Sequence, residues 1–334
     1  MTRVAEHRSG LRWPRAAIGA AAVAALCAVA LFAPGLYSAP LPTRMQDALT
    51  LSMSVLIEAL PFVLLGVVLS IAVQVWVPVG VIERILPRAA WARRAVLSLV
   101  GMFVPVCECG NVPFARGLMM RGVGPADTLA FLVAAPIVNP IVIITTHQAF
   151  GFDDGILVAR LVGGYLIANL VSWLYSRHPD PGSLLTERFA LACETASHAG
   201  GSKASRSLAQ FVVELRAVMP ALVIGSALAG AVQVLVPRDA LVAIGANPLL
   251  SIVAMVLLAL TVAICSNVDA FFALSFAATF SPGSIVAFLL VGPIVDVKMM
   301  ALLRTTFTTR VIAGISVVVI LSAVAIGLGV NLFV

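Results

Sequence analysis

Apolar runs long enough to cross a bilayer core of roughly 30 Å alternate in this chain with short arginine-bearing loops, which predicts a series of transmembrane helices. The first run, Ala16–Phe32, follows Arg3, Arg8, Arg12 and Arg15. It is longer than the apolar core of a usual signal sequence and has no clean small-x-small site before Pro40, so it is read as a retained anchor rather than a cleaved leader. A second span covers Leu49–Val75 with Glu58 and Pro61 inside it. Further spans are expected over Ala126–Thr146, Gly155–Tyr175, Val212–Val236, Ser284–Leu303 and Val311–Phe333. Arg84, Arg88, Arg93 and Arg94 form the densest basic loop, which the positive-inside rule places in the cytoplasm together with the N-terminus. Residues 176–207, with Arg177, Arg188, Lys203 and Arg206 among Gly, Ser and Pro, read as a flexible cytoplasmic linker.

The pattern breaks at Val104–Val123. Cys107, Glu108, Cys109 and Asn111 stand there among apolar residues, while Pro105, Gly110 and Pro113 argue against a regular helix. In hydrocarbon such groups need partners or a wet cavity. The helix feeding the break, from Ala95 to about Pro105, is too short to cross alone. A hairpin that dips to the midplane and returns keeps Arg116 and Arg121 cytoplasmic, so both are read as topology determinants.

The pattern also recurs. Leu60-Pro61-Phe62-Val63-Leu64-Leu65-Gly66 matches Met219-Pro220-Ala221-Leu222-Val223-Ile224-Gly225, and Val73-Gln74-Val75 matches Val232-Gln233-Val234. Cys109-Gly110-Asn111-Val112 matches Cys265-Ser266-Asn267-Val268, and Pro136-Ile137-Val138-Asn139 matches Pro293-Ile294-Val295-Asp296. Shared Pro, Gln, Cys and Asn at near-constant spacing point to an internal repeat. The first repeat starts inward and the second leaves a cytoplasmic linker outward, which makes them inverted. Lys298, Arg304 and Arg310 support that parity. The expected fold is an all-α polytopic membrane protein with two inverted-topology repeats, each with a broken intramembrane hairpin, plus an extra N-terminal transmembrane helix. Its parts are residues 1–48, repeat one over 49–175, the linker 176–207 and repeat two over 208–334. Such architecture places a substrate site near the midplane between repeats.

Composition agrees with this class: of 334 residues, 61% are hydrophobic and only 11% charged, against about 25% charged in soluble domains. The net charge of +6 comes from loop arginines and sets membrane orientation, with no basic face for nucleic acid. The five cysteines form no secreted disulfide framework. Cys27 reads as packing and Cys193 as incidental. No phosphate-binding Gly-x-x-x-x-Gly-Lys-Ser/Thr element is present, so transport would be secondary or need a partner.

The candidate site collects Cys107, Glu108, Cys109 and Asn111 from one hairpin and Cys265, Asn267 and Asp269 from the other, with Asn139 and Asp296 on matched helices. On a regular helix the Cys-x-Cys side chains diverge by about 200°. On an irregular loop two thiolates can share a soft ion, and Cys265 can complete a metal set of Cys107, Cys109 and Cys265 for zinc, copper(I) or a trivalent metalloid. Ligation requires deprotonated thiols, and Glu108 or Asp269 could relay the released protons. Each polar residue also has a structural reading: Asn139 and Asp296 as helix caps, Lys298 as the partner of Asp296 or a snorkelling cation, the cysteines as small apolar fillers. Glu58 is read either as a buried proton carrier or as an interfacial residue.

Pro105-Val106-Cys107-Glu108-Cys109-Gly110-Asn111-Val112-Pro113, followed by Ala134-Ala135-Pro136-Ile137-Val138-Asn139-Pro140, resembles the predicted permease family of YraQ and YcgR, to which the organoarsenical efflux permease ArsP is related. The resemblance covers nearly the whole chain after the first span. It implies a plasma-membrane permease, not an enzyme, that handles a thiol-seeking solute through its cysteines. Glu108 between the cysteines looks more like the YcgR branch, which the resemblance associates with zinc or another divalent metal, than like the arsenical branch. The expected partners are the lipid bilayer, a small inorganic or organometallic substrate, and a partner subunit or metallochaperone; no cofactor is expected. A membrane thiol–disulfide protein using Cys107 and Cys109 is the alternative reading, although Cys-x-Cys closes a disulfide only with a strained ring. A passive assembly subunit would leave both polar breaks unexplained.

Overall fold

The computed structural model describes residues 43–78, 80–104, 106–152, 155–195, 202–235 and 248–333. The expected first span, with Cys27, lies outside the described residues, as do Pro105 and His198. The described chain is helical, and its β-pairing is an isolated antiparallel bridge between Leu185 and Phe307. The chain is thus an all-α polytopic membrane protein, with five stretches among the described residues long and apolar enough to span.

Helix α1 (Thr43–Ile71) ends in a π-helical turn at Ala72–Trp76, and short α2 (Val81–Ile85) leads to α3 (Ala90–Val100). A 3₁₀ turn at Gly101–Phe103 precedes α4 (Glu108–Met119). Then come α5 (Pro125–Val138), α6 (Pro140–Phe150) and α7 (Ile156–Tyr175). After α8 (Glu187–Thr195) the long α9 (Lys203–Leu235) is followed by α10 (Pro248–Thr261), α11 (Asp269–Leu274), α12 (Pro282–Val291), α13 (Val297–Leu303) and α14 (Thr309–Phe333).

Two of the expected spans are interrupted. Asn139 is extended (φ −60°, ψ 132°) because Pro140 disfavours helical geometry in the residue before it, and this divides α5 from α6. The second break falls between α12 and α13, where Asp296 is also extended (φ −84°, ψ 164°) and caps the new helix. Helix α5 packs along α3 and α7, and α12 packs along α10 and α14. Residues 127–138 and 283–291 are buried throughout, so α5 and α12 form the interior. Large apolar side chains face outward from α1, α7, α9 and α14, among them Ile57, Leu166, Ile224 and Leu321, as expected where hydrocarbon is the solvent.

Two glycine crossings fix the geometry. A methyl group on Gly66 of α1 would stand 2.1 Å from the Gly110 carbonyl oxygen, and one on Gly283 of α12 would stand 1.9 Å from that of Gly327. The helices approach there backbone to backbone, which only glycine permits. Of the segment expected as a flexible linker, residues 176–195 are ordered against the rest of the chain. Its Leu184 and Phe189 are buried, Thr186 N donates to Thr306 O (2.9 Å), and Thr308 N donates to Leu184 O (3.0 Å). Apolar side chains dispersed among its turn residues dock it against the end of α13.

Candidate functional site

Two interrupted elements, from opposite halves of the sequence, carry the polar cluster. In the first, Cys107 is extended (φ −73°, ψ 175°) and stands immediately before α4, while its carbonyl accepts from Gly110 N (3.0 Å) and Asn111 N (3.2 Å). The helix therefore begins at Glu108, earlier than Gly110 and Pro113 suggest. Because Cys107 lies outside it, the divergence of Cys-x-Cys on a regular helix does not apply. The ligating atoms of Cys107, Glu108 and Cys109 lie within 4.8 Å of one another, and all three residues are buried. Pro113 has no N–H to offer the Cys109 carbonyl, which keeps this turn irregular.

In the second element the Cys265 carbonyl accepts from Val268 N (3.0 Å) and Asp269 N (3.1 Å). By hydrogen bonding, Cys265 occupies the place of Cys107, two residues away from its sequence match to Cys109. The two elements meet at Glu108. Its Oε2 accepts from Ser266 Oγ (2.8 Å) and Ser266 N (3.3 Å) and faces Cys265 Sγ at 3.8 Å, while Oε1 accepts from Lys298 Nζ at 2.9 Å. The sulfurs of Cys107 and Cys109 lie within 4.8 Å of each other. Glu58, half way along α1, is exposed.

Each remaining candidate has a definite place. Asn139 donates from Nδ2 to Val106 O (2.9 Å) and accepts at Oδ1 from Ile141 N (2.9 Å), so it caps α6 and holds the residue before Cys107. Asp296 caps α13 by accepting from Met299 N at Oδ1, leaving Oδ2 buried without a hydrogen bond. Both amide atoms of fully buried Asn111, and Oδ1 of Asn267, have no hydrogen-bond partner. Asp269 is taken up by Arg160, which donates from Nη2 (2.6 Å) and Nη1 (3.0 Å). Lys298 does not snorkel: it is buried, bonded to Glu108 and 3.7 Å from Asp296 Oδ2.

Arg116, read from sequence as a topology determinant, is buried in an ion pair. Its Nε donates to Glu214 Oε2 (2.8 Å), Nη1 donates to Thr305 O (2.8 Å), and the guanidinium lies 4.2 Å from the Phe189 ring centroid. Sequence reasoning passed over Arg160 and Glu214. An arginine within an otherwise uncharged span was the available signal for Arg160. The buried pairs Arg160–Asp269, Lys298–Glu108 and Arg116–Glu214 each join residues before 176 to residues after 207. Arg116 is about 12 Å beyond Glu108 along α4 at the helical rise. Arg160 lies about 22 Å along α7 from Tyr175, whose end leads to the docked segment covering Arg116, so the two outer pairs flank the central one.

As a donor set, three thiols beside a carboxylate suit a soft or borderline cation, with sulfur favouring zinc or copper(I) and oxygen favouring a divalent charge. A buried ammonium already bonded to that carboxylate is unusual in such a set.

A family profile described as a predicted permease matches residues 44–332. A Streptococcus mutans protein named as a two-component membrane permease complex subunit is 35% identical over 273 residues, covering 81% of this chain and 91% of that protein. The UPF0718 protein YcgR of Bacillus subtilis is 36% identical over 266 residues, covering 77% and 87%. The UPF0718 protein YraQ of Escherichia coli is 26% identical over 132 residues, covering 40% and 38%. No solved structure matches.

Proposed function

Since this chain belongs to the predicted permease family, we propose that it is a multi-pass plasma-membrane permease for a thiol-seeking solute, most simply a soft or divalent metal ion. One observation carries the reading: Cys107, Glu108 and Cys109 converge within 4.8 Å in the interior, and Cys265 from the other half faces the same carboxylate. A trivalent arsenical would use the thiols alone.

The inverted-repeat reading goes with it. Short α2 aside, the order of elements from α1 to α7, a long helix, a shorter one, a broken element, an interrupted pair and a closing span, recurs among the described residues from α9 to α14. With the N-terminus in the cytoplasm, the two broken elements enter from opposite faces and meet at Glu108. Access from either side then requires one of the flanking ion pairs to open while the other holds. Asn111 and Asn267, with unpaired amide atoms, offer hydrogen bonds to a cargo passing the cysteines. The Streptococcus mutans relative is named as part of a two-component complex; we extend that to a second subunit here.

Transport by the purified protein in liposomes tests the reading. Zn²⁺ or Cd²⁺ flux is expected in the intact protein, and Cys107→Ser, Cys109→Ser and Cys265→Ser are each expected to lower it at least about tenfold, the loss that follows when one zinc ligand is removed from a set of three or four. Unchanged flux in all three variants would falsify the metal reading. Flux of a trivalent arsenical, with none for Zn²⁺ or Cd²⁺, would move the cargo to that class.

A further inference from the structure

Lys298 stands where a cation would have to bind. Its ammonium is 2.9 Å from Glu108 Oε1, and a metal ion touching both Glu108 and the thiols would be pressed against it. The surroundings supply a second seat. Asp296 Oδ2 lies 3.7 Å from the same Nζ, is buried, and carries no hydrogen bond. Asp296 cannot turn away, because its other oxygen caps α13 through Met299 N. Glu108 would stay in place if the ammonium left, because Ser266 holds Oε2 through both its hydroxyl and its backbone N–H. Lys298 is on the same first turn of α13 as the cap, so a change of side-chain torsions carries its ammonium from one carboxylate to the other without moving the backbone.

We propose that Lys298 is the resident counter-cation of the permeation site: its ammonium rests on Glu108 when the site is empty and steps onto the free oxygen of Asp296 when a divalent cation takes Glu108. The inference rests on the permease reading above and deepens it. It gives the cargo a charge class, since a trivalent arsenic held by three thiolates is neutral and would have no need to displace an ammonium. It also gives release a driver. The ammonium returning to Glu108 competes with the departing ion, so the site never presents a bare buried carboxylate.

Zn²⁺ binding to the full-length purified protein, measured by competition with a zinc-responsive dye, tests this. Asp296→Asn keeps a side-chain oxygen for the cap, as Asn139 does at the start of α6, and removes the charge of the second seat. It is expected to raise Kd at least tenfold. Lys298→Gln keeps a hydrogen-bond donor for Glu108 without the charge and should lower Kd at least tenfold and slow Zn²⁺ release. With Lys298→Gln present, adding Asp296→Asn should no longer weaken binding, a rescue that a purely structural role for Asp296 would not give. Wild-type Kd in Asp296→Asn, or a double variant as weak as Asp296→Asn, overturns the proposal. If Lys298→Gln does not accumulate, Asp296→Asn decides alone. Absence of Cys107-dependent Zn²⁺ binding in the wild type defeats both this proposal and the metal reading, whereas Cys107-dependent binding with no response to these variants defeats the counter-cation alone.

Discussion

A cysteine in this chain takes its chemistry from the backbone that presents it. Cys107 sits just outside the first turn of α4 and Cys109 just inside it, so thiols that would point apart on one helix converge, and Glu108 between them turns to the other half of the molecule. Cys193, on α8, has no such setting, and burial pushes its thiol up to about 11. The sign is simple: below that value it stays protonated, with a thiolate fraction of about a thousandth at pH 8. Alkylation of Cys193 in a variant lacking the other cysteines should therefore be slow at pH 8 and rise about tenfold per pH unit toward 11, and Cys193→Ser should leave metal flux unchanged. Mass spectrometry after timed maleimide exposure reads the first. The clustered motif Cys107–Asn111 was legible because it breaks an apolar pattern within five consecutive positions. The pairing of Lys298 with nearby Asp296 was legible too, but its bond to Glu108 and the roles of Arg160 and Glu214 were not, because those partners lie about 100 or more residues away and local spacing cannot supply them.

At the scale of elements, apolar length revealed the spans and concealed their interruptions. Apolar residues resume directly after Asn139-Pro140 and surround Pro293, so each stretch reads as one span, yet proline geometry breaks the first and an aspartate cap opens a new helix in the second. The docking of 178–193 was hidden for another reason: its buried Leu184 and Phe189 belong to a short 3₁₀ turn and a nine-residue helix, too brief for an apolar period to stand out among the flanking Gly, Ser and Pro. Close packing depends on absent side chains. At Gly66 the nearest atoms to an added methyl are those of the Gly110 backbone, which cannot rotate away. Gly66→Ala is expected to destabilise by about 2 kcal/mol or more, at the upper end for overpacking, and to displace the cysteines carried by α4. A lower melting temperature in detergent, together with weakened Zn²⁺ binding, checks this, whereas Gly329→Ala, with open space around it, should change neither.

For the whole molecule, hydrophobic burial does not distinguish one helix partner from another, because lipid is as apolar as leucine. Buried charge does. Arg116→Met strands Glu214 in the interior and is expected to cost about 3–5 kcal/mol, while Arg116→Met with Glu214→Met should recover most of it. Comparison of thermal stability and membrane yield across the single and double variants measures the difference. The matched tetrapeptides carry the proposal of inverted halves, but nothing in the local sequence marked the ion pairs that join residues before 176 to residues after 207. Those pairs bear on biogenesis. Glu108, Arg116 and Arg160 are all synthesised before residue 176, and every one of their countercharges comes after residue 207. During translation the first half thus waits in the bilayer with three uncompensated charges. It is a natural client for insertion factors until the second half arrives, and a truncated chain should be recognised and destroyed by membrane quality control.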